Sequence, residues 1–253
     1  MSVFRYIPGN HYTEEQKQLD KRIFRHSLFF PTFLIVLLWL IRLFETEFHL
    51  NLVQGGIYPL HVKGLLGILT APLVHGSFSH LMANTVPLFL LTLALLFFYR
   101  DLAYRIFFLI WIISGIFVWL GAREAWHIGA SGVIYGLAAF LFMSGIVRNN
   151  VRLLTISIIV VFLYGGLFWG IFPMKPEISW EGHLWGGVSG IVLAVVYRKK
   201  GPPAEQHPWD EEDEEDEVSS TEEKAIETFP VSDSGKTKLS DSSQSFPDDE
   251  KPS

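Results

Sequence analysis

Between residues 27 and 197 the chain alternates long apolar runs with short charged junctions. No Asp, Glu, Lys or Arg falls between Lys63 and Arg100, Arg105 and Arg123, Glu124 and Arg148, Arg152 and Lys175, or Glu181 and Arg198. A helix needs roughly 20 mostly apolar residues to cross the hydrocarbon layer, with a range of about 17–25. Lipid offers the backbone no hydrogen-bond partners, so segments of this kind are helices. The pattern predicts spans over residues 27–46, 78–99, 104–121, 131–147, 152–172 and 181–197. The segment GLLGILTAPLV (64–74) is apolar but too short to span, which suits a re-entrant or interfacial element. The predicted fold class is an all-α membrane protein: six transmembrane helices, a re-entrant external loop between helices 1 and 2, and a disordered acidic C-terminal tail.

Charge divides the chain. Residues 1–200 hold 16 Lys and Arg against 9 Asp and Glu, a net of +7; residues 201–253 hold 4 Lys against 17 Asp and Glu, a net of −13. The overall charge of −6 therefore describes a tail and not the apolar region. Gly201-Pro202-Pro203 stops the last helix, and an acidic run at 210–217 leads into a Ser- and Thr-rich stretch. Such a segment buries too little apolar surface to offset its ordering entropy. The expected organisation is an N-terminal cytoplasmic segment (1–26), a membrane domain (27–200) and the tail (201–253). Thr13 and Gln16 have capping-box spacing, which suggests a short surface helix over 13–25, with a disordered lead-in as the alternative. Residues 1–26 lack the pattern of a cleavable leader, so the first span is expected to direct insertion. Twelve Lys and Arg flank the spans on the side of residues 1–26, against three (Lys63, Arg123, Lys175) on the other. The positive-inside rule then puts both termini in the cytoplasm, and spans 2, 4 and 6 all begin at the outer face.

Polar side chains within a bilayer are costly and point to function. Three clusters stand at the outer ends of spans 2, 4 and 6. Span 4 opens with Gly129, Ala130, Ser131 and Gly132, then Tyr135 and Gly136. The glycines permit a tight turn and a close helix contact. Ser131 sits where unpaired N–H groups and the positive end of the helix dipole would stabilise an anion. A plain Ser N-cap explains the same residue. Span 6 opens with His183, followed by Gly186, Gly187 and Gly190 at helical offsets that share one face. An interfacial histidine bonded to water or a carbonyl is the alternative. Span 2 opens with His75, His80 and Asn84; the last two share a face and both carry donors. A metal site competes there, but no HExxH is present and His75 is five residues from His80. The absence of cysteine excludes disulfides, thiolate metal sites and a Cys nucleophile. Together the clusters supply the hydroxyl, imidazole and donors that a serine hydrolase requires. Neither span 4 nor span 6 carries an internal carboxylate beyond the boundary residue Glu181, so a Ser–His dyad is the natural arrangement. Neither cofactor nor metal is expected.

These residues resemble the rhomboid family of intramembrane proteases. GASGVIYGLAAF (129–140) is similar to the rhomboid Gly-x-Ser-Gly motif of the fourth helix. GHLWGGVSG (182–190) is similar to the sixth-helix His followed by small residues. HGSFSHLMANT (75–85) is similar to the His-x-x-x-Asn element that opens the second helix. The resemblance covers roughly residues 27–200. It implies Ser131 as nucleophile, His183 as base, and Tyr135 stacked on the His183 ring. It further implies His80 and Asn84 joining the Ser131 N–H as oxyanion donors, with Gly129 supporting them and His75 structural. Transmembrane proteins would be the substrates and the lipid bilayer the medium, with no nucleic-acid partner. Aromatic residues of span 5 (Phe168, Trp169, Phe172) would either gate a lateral substrate route or form an ordinary interfacial belt.

One departure stands out. Many rhomboids carry a Trp-Arg pair in the first external loop, whereas this chain has Leu66 and Gly67 at those places. Two other readings remain at this level. One is a catalytically inactive relative acting as a membrane chaperone or adaptor, though such relatives typically lack the Ser or the His. The other is a small transporter, which predicts polar residues continuing to the inner face.

Overall fold

The computed structural model of the chain describes residues 14–163, 170–172 and 179–202. Among these the architecture is helical, without strands, and holds one isolated bridge between Ile57 and His127. The helices are α1 (Glu14–Glu47), a short α2 (Gly67–Thr70), α3 (Phe78–Gly121), α4 (Ser131–Val147), α5 (Val151–Leu163) and α6 (Trp180–Val196). Thr13 of the capping box, the acidic tail beyond residue 202, and Phe168 and Trp169 lie outside the described residues. Phe172 lies within them and is exposed.

The expected surface helix and first span are one continuous helix of 34 residues. Residues 14–26 contain neither Gly nor Pro and are rich in Glu, Gln, Lys and Arg. These are strong helix formers, so nothing stops the helix where polarity ends.

Helix α3 joins the expected spans 2 and 3. Straight, its 44 residues would extend about 66 Å at 1.5 Å per residue. Its first residue follows the loop 48–76 directly, yet its far end is bonded to that same loop. The Trp111 indole donates to the Ile68 carbonyl at 3.1 Å, the Trp119 indole to the His61 carbonyl at 3.0 Å, and Leu60 N–H to the Trp119 carbonyl at 3.0 Å. The helix must therefore double back. The reversal sits at Arg100, the one non-helical residue within it, at φ 26° and ψ −90°. Helix α1 runs antiparallel to the first arm, with Phe24 against Phe97 at one end and Trp39 bonded to Thr85 at the other.

The loop 48–76 explains how the chain manages without a Trp-Arg pair. Leu66 is exposed, and Gly67 is buried against the Gly56 backbone, where any side chain would overlap the Gly56 carbonyl. The anchors come from elsewhere: the two indoles of α3, and Glu45, which pairs with Arg42 at 2.6 Å and accepts the Leu52 N–H at 3.0 Å.

Helices α4 and α6 run parallel, backbone against backbone. A Cβ on Gly186 would overlap the Gly132 carbonyl oxygen, and one on Gly190 would overlap that of Gly136. Gly187 was expected on the same face, but nothing lies within 4 Å of its Cβ position. The two helices meet along a row narrower than the full glycine stripe, and Gly187 points off its edge.

Candidate active site

Ser131 is the first residue of α4, and His183 lies in the first turn of α6. Parallel packing on glycine puts both at the same end of the pair. The His183 Nε2 atom lies 2.8 Å from Ser131 Oγ. Its Nδ1 lies 2.7 Å from the Gly170 carbonyl oxygen. A carbonyl only accepts, so Nδ1 carries the hydrogen and Nε2 presents its lone pair to the Ser131 hydroxyl. The Gly170 carbonyl thus orients the ring as a carboxylate does in a Ser-His-Asp triad. The Tyr135 ring stacks on the imidazole, with centroids 4.2 Å apart and planes 10° from parallel.

His80 and Asn84 come to the same corner from the first arm of α3. Gly129 joins them there, at φ +105°. A Cβ at Gly129 would sit 2.6 Å from the His80 ring and 3.7 Å from Asn84 Nδ2. Only glycine fits both the backbone angle and the space. The Asn84 amide nitrogen is buried with no hydrogen-bond partner. A buried donor without a partner costs about 1–3 kcal/mol, which makes this amide a candidate donor to an acceptor brought to the corner it shares with Gly129. The segment leading to Ser131 is fixed by Gly129 N–H on the Ala71 carbonyl at 2.9 Å and by Ala130 N–H on His75 Nε2 at 3.4 Å. His75 is almost fully buried. Burial foremost, with the neighbouring His80 second, lowers its pKa to about 4. It remains a neutral acceptor for Ala130. Ser131, His183, Tyr135, His80, Asn84 and Gly129 are thus brought together, with His75 beneath them. Among the described residues no group of three or more potential metal ligands occurs.

The sequence reading missed two residues. His127 is buried, with Nδ1 2.6 Å from Ser179 Oγ and Nε2 2.9 Å from the Arg123 carbonyl. Burial holds its pKa below the usual histidine value. Ser179 is the N-cap of α6 and accepts the Gly182 N–H at 3.3 Å. The available signal was positional: each stands four residues ahead of a candidate site residue, His127 before Ser131 and Ser179 before His183. Beside Ser131 lies a cavity of about 40 Å³, bounded by Trp111, Ser114, Gly132, His127 and Ser179 among others. A cavity of that size has room for water.

Helices α1 and α3 are long and apolar enough to cross a bilayer, and α4, α5 and α6 are shorter apolar helices around the site. Together with the family match that follows, these apolar helices point to an integral membrane protein. A family model described as the rhomboid domain matches residues 63–200. An uncharacterised protein of Mycobacterium tuberculosis is 39% identical over 176 residues, which cover 64% of this chain and 71% of that one. One from Mycobacterium leprae is 36% identical over 176 residues, covering 64% and 68%. A protein of Acanthamoeba polyphaga mimivirus named for the rhomboid family is 30% identical over 141 residues, covering 53% and 75%. The chain belongs to the rhomboid family.

Proposed function

We propose that the protein is an intramembrane serine endopeptidase that cleaves transmembrane substrates through a Ser131–His183 dyad. The observation that carries this reading is the 2.8 Å contact between Ser131 Oγ and a His183 ring whose other nitrogen is held on the Gly170 carbonyl. Membership of a family made up generally of intramembrane serine proteases supports it.

His183 Nε2 takes the proton as Ser131 Oγ attacks the scissile carbonyl carbon. The carbonyl oxygen becomes an oxyanion in the corner lined by the Ser131 N–H, the Asn84 amide and His80. The C–N bond then breaks, and the imidazolium returns its proton to the leaving amine. Water activated by His183 resolves the acyl-enzyme and restores the Ser131 hydroxyl. Tyr135 keeps the ring in plane throughout. Six spans with both termini in the cytoplasm, and a site opening to the outer face, accord with the distribution of Lys and Arg. Helices of 17 residues such as α4 and α6 suit a site at the outer end of a locally thin protein, where water reaches the serine.

The test is incubation of the purified protein with single-span reporters and with a fluorophosphonate probe. Wild type should cleave the reporter and label at Ser131, and Ser131→Ala should do neither. Asn84→Ala should slow cleavage about a hundredfold, the usual effect of losing one oxyanion donor. A fully active Ser131→Ala protein would sink the assignment, and a wild type inert to both would favour an adaptor role.

A further inference from the structure

We propose that His127 and Ser179 form a positioning pair that holds Ser131 within hydrogen-bonding reach of His183; this rests on reading those two as nucleophile and base. A glycine face brings α4 and α6 close, but it offers few protruding side chains to interlock. Contact of this kind sets the distance between two helix axes better than it sets their register along those axes. A shift of about 1 Å along the axes would break the Ser131–His183 bond, because hydrogen bonds weaken steeply beyond their normal range. Something directional must fix the register. The His127–Ser179 bond lies in the right place, since it joins the residue four before Ser131 to the residue four before His183.

The bond is well made for that task. The Arg123 carbonyl can only accept, so His127 Nε2 carries the hydrogen and Nδ1 accepts the Ser179 hydroxyl. The Ser179 oxygen in turn accepts the Gly182 N–H and so grips the first turn of α6. On its other side the His127 backbone pairs both ways with Ile57, at 2.8 and 2.9 Å. His127 is thus clamped by the first loop, and through its ring it clamps α6. The Arg123–Glu181 ion pair at 3.4 Å spans the same gap. Its arginine is more than a third exposed, so it is expected to contribute less.

The chain contains no cysteine, so Ser131→Cys introduces a single thiol beside His183. The rate of its alkylation by iodoacetamide against pH reports the contact with the imidazole and needs no proteolysis. A thiol paired with imidazole reacts as thiolate well below the ordinary midpoint near pH 8.5. In the full-length protein, Ser131→Cys should show this low midpoint, and adding His183→Ala should restore the ordinary one. Adding His127→Ala should raise the midpoint by about one pH unit or more. His127→Asn keeps an acceptor near the Nδ1 position and should return the midpoint towards that of Ser131→Cys alone. His127→Gln restores only a donor for the Arg123 carbonyl and should not. In the Ser131 background, His127→Gln should lower kcat for a reporter at least tenfold with KM unchanged, and His127→Asn should recover most of it.

The Asn and Gln variants both lack the ring, so a fold defect common to both cannot separate them. Equal midpoints for the two, or a midpoint indifferent to His127, would overturn the proposal; so would a thiol indifferent to His183. If the midpoints move as stated while wild type cleaves nothing, the positioning pair stands and the protease reading falls.

Discussion

The contact between α4 and α6 and the contact between α1 and α3 are built from opposite materials. In the first, glycine meets glycine, and a Cβ on Gly186 or Gly190 would collide with a carbonyl oxygen of α4. In the second, large rings mesh: Phe30 lies edge-on to Tyr104 and Phe107 at 5.2 and 5.1 Å, and Trp39 reaches Phe78 and Thr85. Rings can shift rotamers to absorb a change, whereas backbone pressed on backbone has no slack across the interface, even though it leaves sliding along the axes less restrained. The residues that must meet to within tenths of an ångström, Ser131 and His183, sit on the glycine contact. The aromatic contact holds the first helix in place but carries none of the candidate site residues at its centre.

Substitutions at four positions put that contrast at risk. The largest effect is expected for Gly186→Val, which forces α6 away from the Gly132 carbonyl. Overpacking costs about 1–3 kcal/mol, but the separation it imposes should abolish fluorophosphonate labelling in the protein that still folds. Normal labelling would show that the glycine contact is not what pairs the helices. Next is Tyr135→Ala, which removes the ring stacked on His183. We expect roughly a tenfold to hundredfold fall in kcat from a loosened base, as for other losses of positioning, with Tyr135→Phe near wild type because the stack survives. Third is Phe30→Leu in the aromatic contact. It should cost about 1–3 kcal/mol of thermal stability, since two or more aromatic pairs are lost, and leave kcat within about twofold. A large loss of kcat there would mean that α1 also positions the site. The smallest is Gly187→Ala, one residue from Gly186 but facing open space. Its turnover should match wild type and its melting temperature should be equal or slightly higher, because Ala favours helix over Gly; a marked loss would mean that the contact is wider than the geometry indicates.

Tests of pH dependence belong to the loop groups. His75 and His127 both have pKa values lowered by burial. A histidine whose folded pKa lies below its unfolded value stabilises the fold above the unfolded value, near 6.5. That contribution is lost as pH falls towards the folded value, about 4 for His75.

Much of this was readable in the chain before any coordinates. The uncharged runs marked the helices, because lipid leaves a backbone no other regular structure. Ser131, His183 and their glycine neighbours stood out because polar groups and glycine are both costly where they occur. Local rules were weaker where the chain had to choose between equally local options. The first helix ran past the polar boundary because residues 14–26 favour helix as strongly as the apolar run does. Gly187 was assigned to a face that three glycines fill on a helical wheel, yet only the packed helices show how narrow the contact row is.

By itself, then, the sequence determined which residues are apolar enough to be helices, where polar groups interrupt them, and that α4 and α6 each open on a reactive side chain above glycine. Only the tertiary structure decided the rest. It brought Gly170, from outside any helix, to the far nitrogen of His183. It brought the buried Asn84 amide to the Gly129 turn that leads into Ser131, and it joined His127 to Ser179. The two hydrogen bonds join residues 13 and 52 positions apart in the chain. Their geometry depends on the axial register of packed helices, which no local propensity or periodicity encodes.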